Sequence, residues 1–589
     1  MCGIFGYVGD HIELGSQVLK ALKTLEYRGY DSWGVALGVN GHIDVEKNVG
    51  KIGGSSVHMP DSDIGFGHTR WATHGKVTEP NAHPHLSCDG RLAVIHNGIV
   101  ENFRELREAL LKEGHTFRSD TDSEVIAHLL EAELPHHNGD LAATLATIFP
   151  RLDGLNAVIA MDVRSRELVA TKNVSPLIAG LGEQGAVIAS DAMALLGHAD
   201  RVVYLEDHHL VRLSHQGLSL YDRSTLTPIA LPLTDLSQDE TGRELGAYAH
   251  FMAKEMAEQP DVLEQLVRDR MDSIAELSSA ISAAQGTFLV GCGTASYAAL
   301  TGSYLFGRIA KHHINFVVGS EFKYHDHFIT PRSLVVALSQ SGETADVIEA
   351  MMTARSKGAR LGAIVNVERS TLDRMVDIRV PLGAGPEQCV LSTKAYTAKV
   401  ATLLLAAHAL AGSPDRGKEE VLRAADGLRT MLTAEWTSQV QEIAASVKAN
   451  EHLFVIGRGL AYATALEAAL KIKEVSYVHA EGFAGGELKH GVIALIAPGT
   501  PCVVYAPNDE TRADILSGAM ELKSRGGYII GIGPQCDPCF DAYLNVPDAG
   551  HAAPIVNALP AQMLGYQLAL LRGNDPDKPR NLAKSVTVK

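Results

Sequence analysis

Two stretches in the second half of the chain decide the fold: TFLVGCGTASYAAL at residues 287–300 and HLFVIGRGLAYATAL at residues 452–466. Each predicts a buried strand, a Gly-x-Gly turn and a helix. The next predicted strands have nearly the same spacing in both stretches, because SLVVAL begins 40 residues after Gly293 and PCVVYA begins 42 residues after Gly459. LGAIVN and YIIGIG then begin 68 and 69 residues after the same two glycines. This repeated spacing predicts a diverged internal duplication.

The rest of the chain divides around this duplication. We place the copies at residues 275–410 and 445–575, each as a doubly wound parallel α/β domain. In residues 2–235, GRLAVIHNGIVEN predicts a strand running into an Asn-Gly turn, and SDTDSEVIAHLLEAEL predicts a polar cap followed by an amphipathic helix. The acidic stretch LTDLSQDETGRELG lacks periodicity, so residues 236–274 are predicted to be a linker with connecting helices. Residues 576–589 form a C-terminal tail.

Composition narrows the classes of function. The chain has 589 residues, enough for about three or four domains, and 46% of them are hydrophobic. The formal net charge of -17 argues against nucleic-acid or anionic-membrane binding, so any anionic substrate needs a local site. No apolar run approaches the ~18 residues that span a membrane, and no leader-like segment opens the chain. Seven cysteines, an odd number, fit a reducing cytoplasm.

The chain opens MCGIFGYVGD, with Cys2 directly after the start methionine. Removal of the methionine would give Cys2 a thiol nucleophile and an α-amine base on the same carbon. Packing in a buried strand is the competing interpretation, because free cysteines are often buried. The opening residues alone leave both interpretations open.

A candidate anion site follows the SLVVAL strand of the first copy. SQSGET, at residues 339–344, lies between a predicted strand and a predicted helix, where hydroxyls and free N–H groups bind anions. An ordinary capping box is the competing interpretation. The corresponding APNDET of the second copy lacks the paired serines, which favours one phosphate site over two. Neither Gly-x-Gly turn continues to the third glycine of a dinucleotide fingerprint, so a nicotinamide site is weakly supported.

The second copy carries acid–base groups instead. Glu467, Lys471 and Glu474 share one face of a predicted helix at i, i+4 and i+7. The nearby loop HAEGFAGGELKHG adds a carboxylate, an amine and an imidazole: Glu481, Lys489 and His490. Such a set suits proton transfer next to a carbonyl, whereas a solvated salt-bridge face is the competing interpretation.

Several motifs together resemble known families. MCGIFGYVG, LEYRGYDS, GHTRWATHG, NAHPH, HNGIVEN and SDTDSEVIAH resemble the class II glutamine amidotransferase domain with an N-terminal nucleophile. LSQSGETAD, STKAYT, HAEGFAGGELKHG and PRNLAKSVTV resemble the isomerase half of the glutamine–fructose-6-phosphate aminotransferases, or glucosamine-6-phosphate synthases. The resemblance covers essentially the whole chain in the right order. It implies a four-layer αββα amidotransferase domain followed by two sugar isomerase (SIS) domains.

For the first domain, the resemblance implies a glutamine-hydrolysing site. Cys2 would be the mature N-terminus, and its α-amine, with a pKa of about 7.7–8.0, would move the proton. The Asn97 side chain and the Gly98 N–H would stabilise the oxyanion. The implied glutamine-binding residues are Arg70 for the α-carboxylate, Asp122 for the α-ammonium, and Trp71, Thr73, His74 and Gly75 in the loop over the substrate.

For the second half, the resemblance implies fructose 6-phosphate as substrate and glucosamine 6-phosphate as product. Lys584 would form the imine. Glu474 would move a proton between C1 and C2, with Lys471 beside it. His490, from the other subunit of a homodimer with a shared isomerase site, would open the sugar ring. The implied sugar-phosphate contacts are Gly293, Thr294, Ser296, Ser339, Gln340, Ser341, Thr344, Val390 and Ser392. Ammonia would travel inside the protein, gated by Trp71.

Neither a metal nor a cofactor is expected. His83 and His85 lack cysteines or acids at ligand spacing, and such histidines more often hold loops. The close pair Cys536 and Cys539 lacks a second pair, so a surface turn is expected there. Nucleic acids and membranes are likewise not expected as partners.

Departures from the family pattern leave the identity of the sugar open. CGTASY displaces a serine to Ser296, and PEQCVLSTK adds Cys389 and Leu391 near the expected sugar site. YDSWG carries Trp33 where alanine is usual. A relative that aminates a different ketose phosphate is therefore the main competing interpretation.

Two further enzyme classes and a sensor fit the sequence less well. An amidophosphoribosyltransferase needs a DDS-like pyrophosphate loop and an asparagine synthetase an SGGLDSS-like ATP loop, and the sequence has neither. A non-enzymatic sugar-phosphate sensor would have no use for Cys2, Arg70 and Asn97 together.

Overall fold

The computed structural model describes residues 2–10, 13–236 and 244–587. The chain divides into two compact units, Met1–Glu240 with Ala583–Lys589, and Thr241–Leu582. We call them the N-terminal and C-terminal units.

The predicted linker LTDLSQDETGRELG falls partly outside the described residues, at 237–243. Just before that gap, Thr234–Asp235 forms a short strand, so the predicted linker begins inside the N-terminal unit.

Two antiparallel sheets form the centre of the N-terminal unit. One has the strand order β15-β11-β9-β10-β1-β4-β2-β3, and the other β14-β13-β12-β8-β7-β6-β5. The strands of the described residues are β1 Gly3–Gly9, β2 Ser32–Val39, β3 His42–Val49, β4 Ile64–Arg70, β5 His85–Leu86, β6 Leu92–Gly98, β7 Asn156–Asp162, β8 Glu167–Lys172, β9 Ile178–Leu181, β10 Gly185–Ala189, β11 Arg201–Tyr204, β12 His209–Ser214, β13 Gly217–Asp222, β14 Pro228–Ile229 and β15 Thr234–Asp235.

Helices cover the outer faces of both sheets. They are α1 Leu14–Thr24, α2 Phe103–Lys112, α3 Glu124–Glu133 and α4 Leu141–Ile148. Side chains alternate across each strand, so Ile4 enters the core between the sheets while Phe5 packs in the core beneath α1. In β6, Ile95 joins the same inter-sheet core and Val94 packs against α3 and α4. Three apolar cores between four layers confirm the predicted αββα arrangement.

The C-terminal unit contains two parallel five-stranded sheets of matching order, β17-β16-β18-β19-β20 and β22-β21-β23-β24-β25. Their strands are β16 Gly286–Gly291, β17 Asn315–Val318, β18 Ser333–Ser339, β19 Arg360–Val365, β20 Ile378–Pro381, β21 His452–Gly457, β22 His479–Ala484, β23 Pro501–Tyr505, β24 Tyr528–Gly533 and β25 Ala542–Asn545. The helices are α5 Phe251–Ala257, α6 Gln259–Asp269, α7 Met271–Ala283, α8 Thr294–Leu305, α9 Ala345–Ser356, α10 Thr371–Met375, α11 Lys394–Leu410, α12 Pro414–Met431, α13 Ala434–Val447, α14 Leu460–Ser476, α15 Arg512–Lys523 and α16 Ala553–Leu571.

The duplication predicted from the glycine spacing is confirmed at the backbone. Gly293, which precedes α8, has φ 54° and ψ −130°, and Gly459, which precedes α14, has φ 55° and ψ −126°. L-residues with side chains rarely adopt this conformation. At the first glycine of each turn the helix approaches closely, because a Cβ on Gly291 would lie 2.8 Å from the Ala295 carbonyl carbon. A Cβ on Gly457 would overlap the carbonyl oxygen of Ala461, at the equivalent place in the second copy.

One apolar core joins the two copies. It includes Leu289 from the first sheet, Val455 from the second and Leu564 from α16. A buried hydrogen bond, from Gln259 Nε2 to Gln562 Oε1 at 2.9 Å, ties α6 to α16. Among the described residues, the helices are all too short or too polar to cross a bilayer.

Candidate functional sites

Cys2 lies at the edge of the central sheet of the N-terminal unit, directly before β1. Its Sγ is 3.4 Å from the Trp71 N–H, which donates to it, and 3.8 Å from the Trp71 carbonyl oxygen. The next residue is fixed by a hydrogen bond from Gly3 N–H to Thr69 Oγ1 at 3.0 Å. Burial raises the pKa of the Cys2 thiol, so the thiol needs a base to become a nucleophile. Cys2 is half-buried at a strand end, which fits a reactive position better than packing inside a strand.

Asn97 and Gly98 end β6 of the other sheet, and they meet the Cys2 end of the first sheet. Asn97 Nδ2 donates a 3.0 Å hydrogen bond to the Cys2 carbonyl oxygen. Gly98 has φ 141°, and a Cβ there would overlap the Leu155 carbonyl oxygen. Only glycine fits this strand end, which explains why the Asn-Gly pair follows the strand.

Arg70 ends β4 and holds the loop that follows it. Its guanidinium donates to the carbonyl oxygens of Gly75 and Lys76 at 3.3 Å, and also to that of His74. The loop is pinned from the other side by Asp31, whose Oδ2 accepts from Ala72 N–H at 2.7 Å. Of the remaining loop residues predicted to cover the substrate, Trp71 is half-buried and Thr73 is exposed.

Asp122 completes the cluster. It is buried, and its Oδ2 accepts a 2.8 Å hydrogen bond from Val100 N–H, just beyond the oxyanion pair. Burial lowers the pKa of Arg70, while Cys2 and Asp122 act electrostatically in the opposite direction. The structure therefore brings Cys2, Asn97, Arg70 and Asp122 together.

A group of buried histidines lies beneath this site, of which the sequence analysis named His83 but missed His68 and His96. His68 Nε2 lies 3.0 Å from the His96 carbonyl oxygen and 3.0 Å from His83 Nδ1. Burial lowers the pKa of His68 to about 3, so the imidazole is neutral. His68 precedes Arg70 by two residues, and His96 directly precedes Asn97. The histidines thus tie together the two strand ends that carry functional side chains.

A second site lies in the C-terminal unit, at the SQSGET turn. Ser339 ends β18, and its Oγ accepts from Gly342 N–H at 2.9 Å and lies 3.5 Å from Thr344 Oγ1. Gly342 has φ 68°, and a Cβ there would overlap Ser370 Oγ. Gln340 Oε1 is buried and has no hydrogen-bond partner among the described residues. The turn opens onto the N-terminus of α9, as expected for an anion site.

The acid–base residues of the second copy form a buried triad on α14. Lys471 Nζ donates to Glu474 Oε2 at 2.6 Å and lies 3.6 Å from Glu467 Oε1. Lys471 and Glu467 are each only 1% exposed, so the solvated-face interpretation is wrong. Burial raises the pKa of Glu467 to about 8. Burial also opposes the charge on Lys471, but the two carboxylates outweigh it and its pKa lies above the usual lysine value.

The first copy contributes to this triad across the shared core. Thr294 Oγ1, in the first turn of α8, donates to Glu467 Oε1 at 3.3 Å. Ser296 instead donates back to the Gly293 carbonyl oxygen at 2.7 Å, within the turn that precedes α8. Two buried tyrosine hydroxyls, on Tyr396 and Tyr505, also interact electrostatically with Glu467.

The loop before α11 packs against the segment that leads to the C-terminus. Val390 N–H donates to the Asp577 carbonyl oxygen at 3.0 Å, and Cys389 Sγ to the Pro576 carbonyl oxygen at 3.4 Å. Cys389 and Leu391 both belong to the apolar core, which absorbs the bulk that the sequence adds here. Ser392 Oγ is buried without a hydrogen-bond partner among the described residues.

The remaining predicted residues lie apart from these clusters or in the other unit. His490 is exposed at the end of a short helix, Glu487–His490, and neighbouring Lys489 pairs with Glu521 at 2.8 Å. Lys584 lies in the tail segment that clusters with the N-terminal unit. In that segment Ser585 and Thr587 are buried, so the tail is docked rather than loose.

The fold and the two sites define a glutamine amidotransferase domain joined to a pair of sugar-isomerase-type domains. Comparisons with known proteins agree. The glutamine amidotransferase domain model matches residues 68–197, and the SIS domain model matches residues 280–409 and 447–572.

Relatives match over the entire length. The glutamine–fructose-6-phosphate aminotransferases [isomerizing] of Thermococcus kodakarensis and Thermus thermophilus are 40% and 41% identical, with 100% of this chain and 100% of each relative covered. The chain belongs to this family of isomerising glutamine–fructose-6-phosphate aminotransferases.

Solved structures resemble the C-terminal half. The C-terminal domain of glucosamine-fructose-6-phosphate aminotransferase from Francisella tularensis matches with a TM-score of 0.53 and 32% identity, covering 57% of this chain and 99% of that one. Tagatose-6-phosphate ketose/aldose isomerase from Escherichia coli matches with a TM-score of 0.50 over 56% of this chain and 95% of that one, and at 17% identity it shows the fold alone.

Proposed function

We propose that this protein transfers the amide nitrogen of glutamine to fructose 6-phosphate, yielding glucosamine 6-phosphate and glutamate. This would be the first step of UDP-N-acetylglucosamine synthesis. The observation that carries the proposal is the convergence of Cys2, Asn97, Arg70 and Asp122 in a chain that also holds a hydroxyl-lined turn and a buried Glu–Lys–Glu triad. The names of the full-length relatives support the same pairing of substrates.

The N-terminal unit would release ammonia from glutamine. With Met1 removed, the Cys2 α-amine takes the thiol proton and the sulfur attacks the carboxamide carbon. The resulting oxyanion receives hydrogen bonds from Asn97 Nδ2 and the Gly98 N–H. Ammonia leaves, and water then hydrolyses the thioester to glutamate. Arg70 and Asp122 would hold the substrate's α-carboxylate and α-ammonium.

The C-terminal unit would bind and isomerise the sugar. Its phosphate would be held at the SQSGET turn by Ser339, Gln340, Ser341 and Thr344. After the ring opens, with help from His490, Glu474 moves the proton from C1 to C2 of the aminated sugar. Lys471 donates a 2.6 Å hydrogen bond to Glu474 Oε2 and so holds this carboxyl group in position.

The tail supplies the imine-forming amine in this proposal. Arg580 N–H donates to Tyr477 Oη at 2.7 Å, and Asn574 Nδ2 donates to the Val475 carbonyl oxygen at 3.1 Å, so the chain leading into the tail is anchored at the end of α14. Lys584 is the fourth residue after Arg580, so an extended chain places it up to about 14 Å from Arg580. Lys471 lies 2.6 Å from Glu474 Oε2 and its pKa lies above the usual lysine value, so the amine stays protonated and is unsuited to attack a ketose.

The proposal also covers the oligomeric state of the enzyme and its location in the cell. The enzyme would act as a homodimer in which His490 serves the neighbouring isomerase site, and ammonia would pass through the protein under the control of Trp71. We place it in the cytoplasm, where its seven cysteines would stay reduced.

A panel assay tests the proposed substrate. Purified protein receives glutamine with fructose 6-phosphate, tagatose 6-phosphate, sorbose 6-phosphate or ribulose 5-phosphate, and aminosugar formation is measured by mass spectrometry. Fructose 6-phosphate should give the highest kcat/KM. A higher kcat/KM for another ketose phosphate would favour a second candidate function, the amination of a different sugar. The CGTASY and PEQCVLSTK departures leave that function open.

A further inference from the structure

A cluster in the N-terminal unit places one thiol, two imidazoles and one carboxylate together. Cys88 lies in the turn between β5 and β6, and His115 follows α2. His128 and Glu131 lie three residues apart on α3. The ligand atoms of these four residues all lie within 4.8 Å of one another. None of the four takes part in the glutamine site described above.

The distances within the cluster suit tetrahedral zinc. Cys88 Sγ is 3.7 Å from His115 Nδ1 and 3.5 Å from His128 Nδ1. Glu131 Oε2 is 2.9 Å from His115 Nδ1 and 3.4 Å from His128 Nδ1. In a tetrahedral zinc site, ordinary bond lengths separate sulfur from nitrogen by about 3.5 Å and nitrogen from oxygen by about 3.3 Å. Small side-chain shifts therefore bring all four donors to bonding distance.

Neighbouring groups hold the donors in place. Thr116 N–H donates to Cys88 Sγ at 3.3 Å, and the N–H groups of Cys88 and Asp89 donate to the two oxygens of Glu131 at 3.0 Å. His128 is almost fully buried, and its other ring nitrogen, Nε2, lies 3.6 Å from Glu124 Oε1. Such outer contacts orient ligands in metal sites. Cys88 is exposed, which leaves a path for an ion to enter.

We propose that Cys88, His115, His128 and Glu131 form a zinc site. Four protein ligands fill the tetrahedron, so the ion has a structural role. On binding, the Cys88 thiol releases its proton to solvent, and each imidazole coordinates as a neutral ring through Nδ1 with its single proton on Nε2. This replaces the sequence-based expectation of a chain without metal.

The site connects to the glutamine site through one carboxylate. Glu124, which faces His128, accepts from Ser119 N–H at 2.7 Å and from Ser119 Oγ at 2.6 Å. This hydrogen-bonded turn carries Asp122. A zinc ion on His128 would thus fix the turn that presents Asp122 to glutamine.

The test uses the full chain without a histidine tag. Zinc content is measured by mass spectrometry, and Co²⁺ replaces zinc for visible spectroscopy. We expect about one metal ion per chain, with tetrahedral d–d bands and a thiolate-to-cobalt charge-transfer band. Cys88→Ser should remove the charge-transfer band. It should also weaken metal binding more strongly than the loss of an outer-shell partner, which typically costs about 10- to 100-fold in metal affinity. Cys536→Ser, which removes another exposed cysteine, should change neither the charge-transfer band nor the metal affinity.

A second ligand variant tests whether a loss of metal binding results from misfolding. His115→Ala should weaken metal binding while circular dichroism and glutamine hydrolysis in excess glutamine confirm that the unit is folded. The proposal is overturned if neither purified nor zinc-treated protein holds stoichiometric metal. It is also overturned if Cys88→Ser binds as the parent does, or if only His408→Ala, in the His408–Glu420–His551 cluster, removes the metal.

Discussion

At the residue scale, Cys2 is the proposed nucleophile of glutamine hydrolysis. Cys2→Ala should abolish glutamine hydrolysis, because no other thiol of the described residues lies beside Trp71 N–H and the Asn97 amide. Glutamate release in a coupled assay measures this, with Cys536→Ala as the matched control. An alanine variant that hydrolyses glutamine at the normal rate would show that the sulfur of Cys2 does not attack.

Asn97 carries the second residue-scale prediction. Its Nδ2 already points at the backbone of the nucleophile, 3.0 Å from the Cys2 carbonyl oxygen. Asn97→Ala should lower kcat for glutamine hydrolysis by about 100- to 1,000-fold, with little change in KM, because an oxyanion donor acts in the transition state. An effect confined to KM would place Asn97 in ground-state binding instead.

Sequence reasoning reached these residues because each sits in a short motif. Arg70 and Asn97 end strands, and the residue types around them fit recognised patterns. The hydrogen bonds that His68 and His96 make at those strand ends, and the four residues of the proposed zinc site, could not be predicted in this way. Cys88, His115 and His128 are far apart in sequence, with none of the close cysteine or histidine spacing that marks zinc sites, so only the packing of α3 against the β5–β6 turn brings them together.

At the element scale, the decisive helix is α14, which carries a buried ion triad. Lys471→Ala would remove the buried partner of both Glu467 and Glu474, and should lower the free energy of unfolding by about 3–5 kcal/mol. Lys473→Ala, on the exposed face of the same helix, should change it by no more than about 0.5 kcal/mol. Denaturant unfolding of both variants measures the difference. Equal losses would mean that Lys471 is not buried as described.

The element scale was also the most predictable. The repeated glycine spacing predicted two parallel α/β copies, although not the order of their strands, because a Gly-x-Gly turn before a closely packed helix requires glycine at two positions. Burial of the α14 triad was not predictable, since a Glu–Lys–Glu pattern at helical spacing is equally typical of a solvated face. Packing of α14 against α8 of the other copy makes this face buried rather than solvated.

At the scale of the whole molecule, one prediction concerns the tail, which carries the proposed imine-forming Lys584. Deleting residues after Asn581 should leave glutamine hydrolysis intact and stop aminosugar formation, because Lys584 is lost. Lys584→Ala tests the same point without removing the buried Ser585 and Thr587. Borohydride with fructose 6-phosphate should trap a covalent adduct on Lys584. Full synthesis by the truncated chain, or an adduct on Lys471, would assign the imine to another lysine.

The central claim is that one chain joins glutamine hydrolysis to sugar amination. Glutamine labelled with ¹⁵N at the amide is supplied with fructose 6-phosphate and excess unlabelled ammonium, and the aminosugar is analysed by mass spectrometry. The account predicts glucosamine 6-phosphate that carries ¹⁵N and forms in equal amount to glutamate. Unlabelled product, or glutamate formed without any aminosugar, would contradict it.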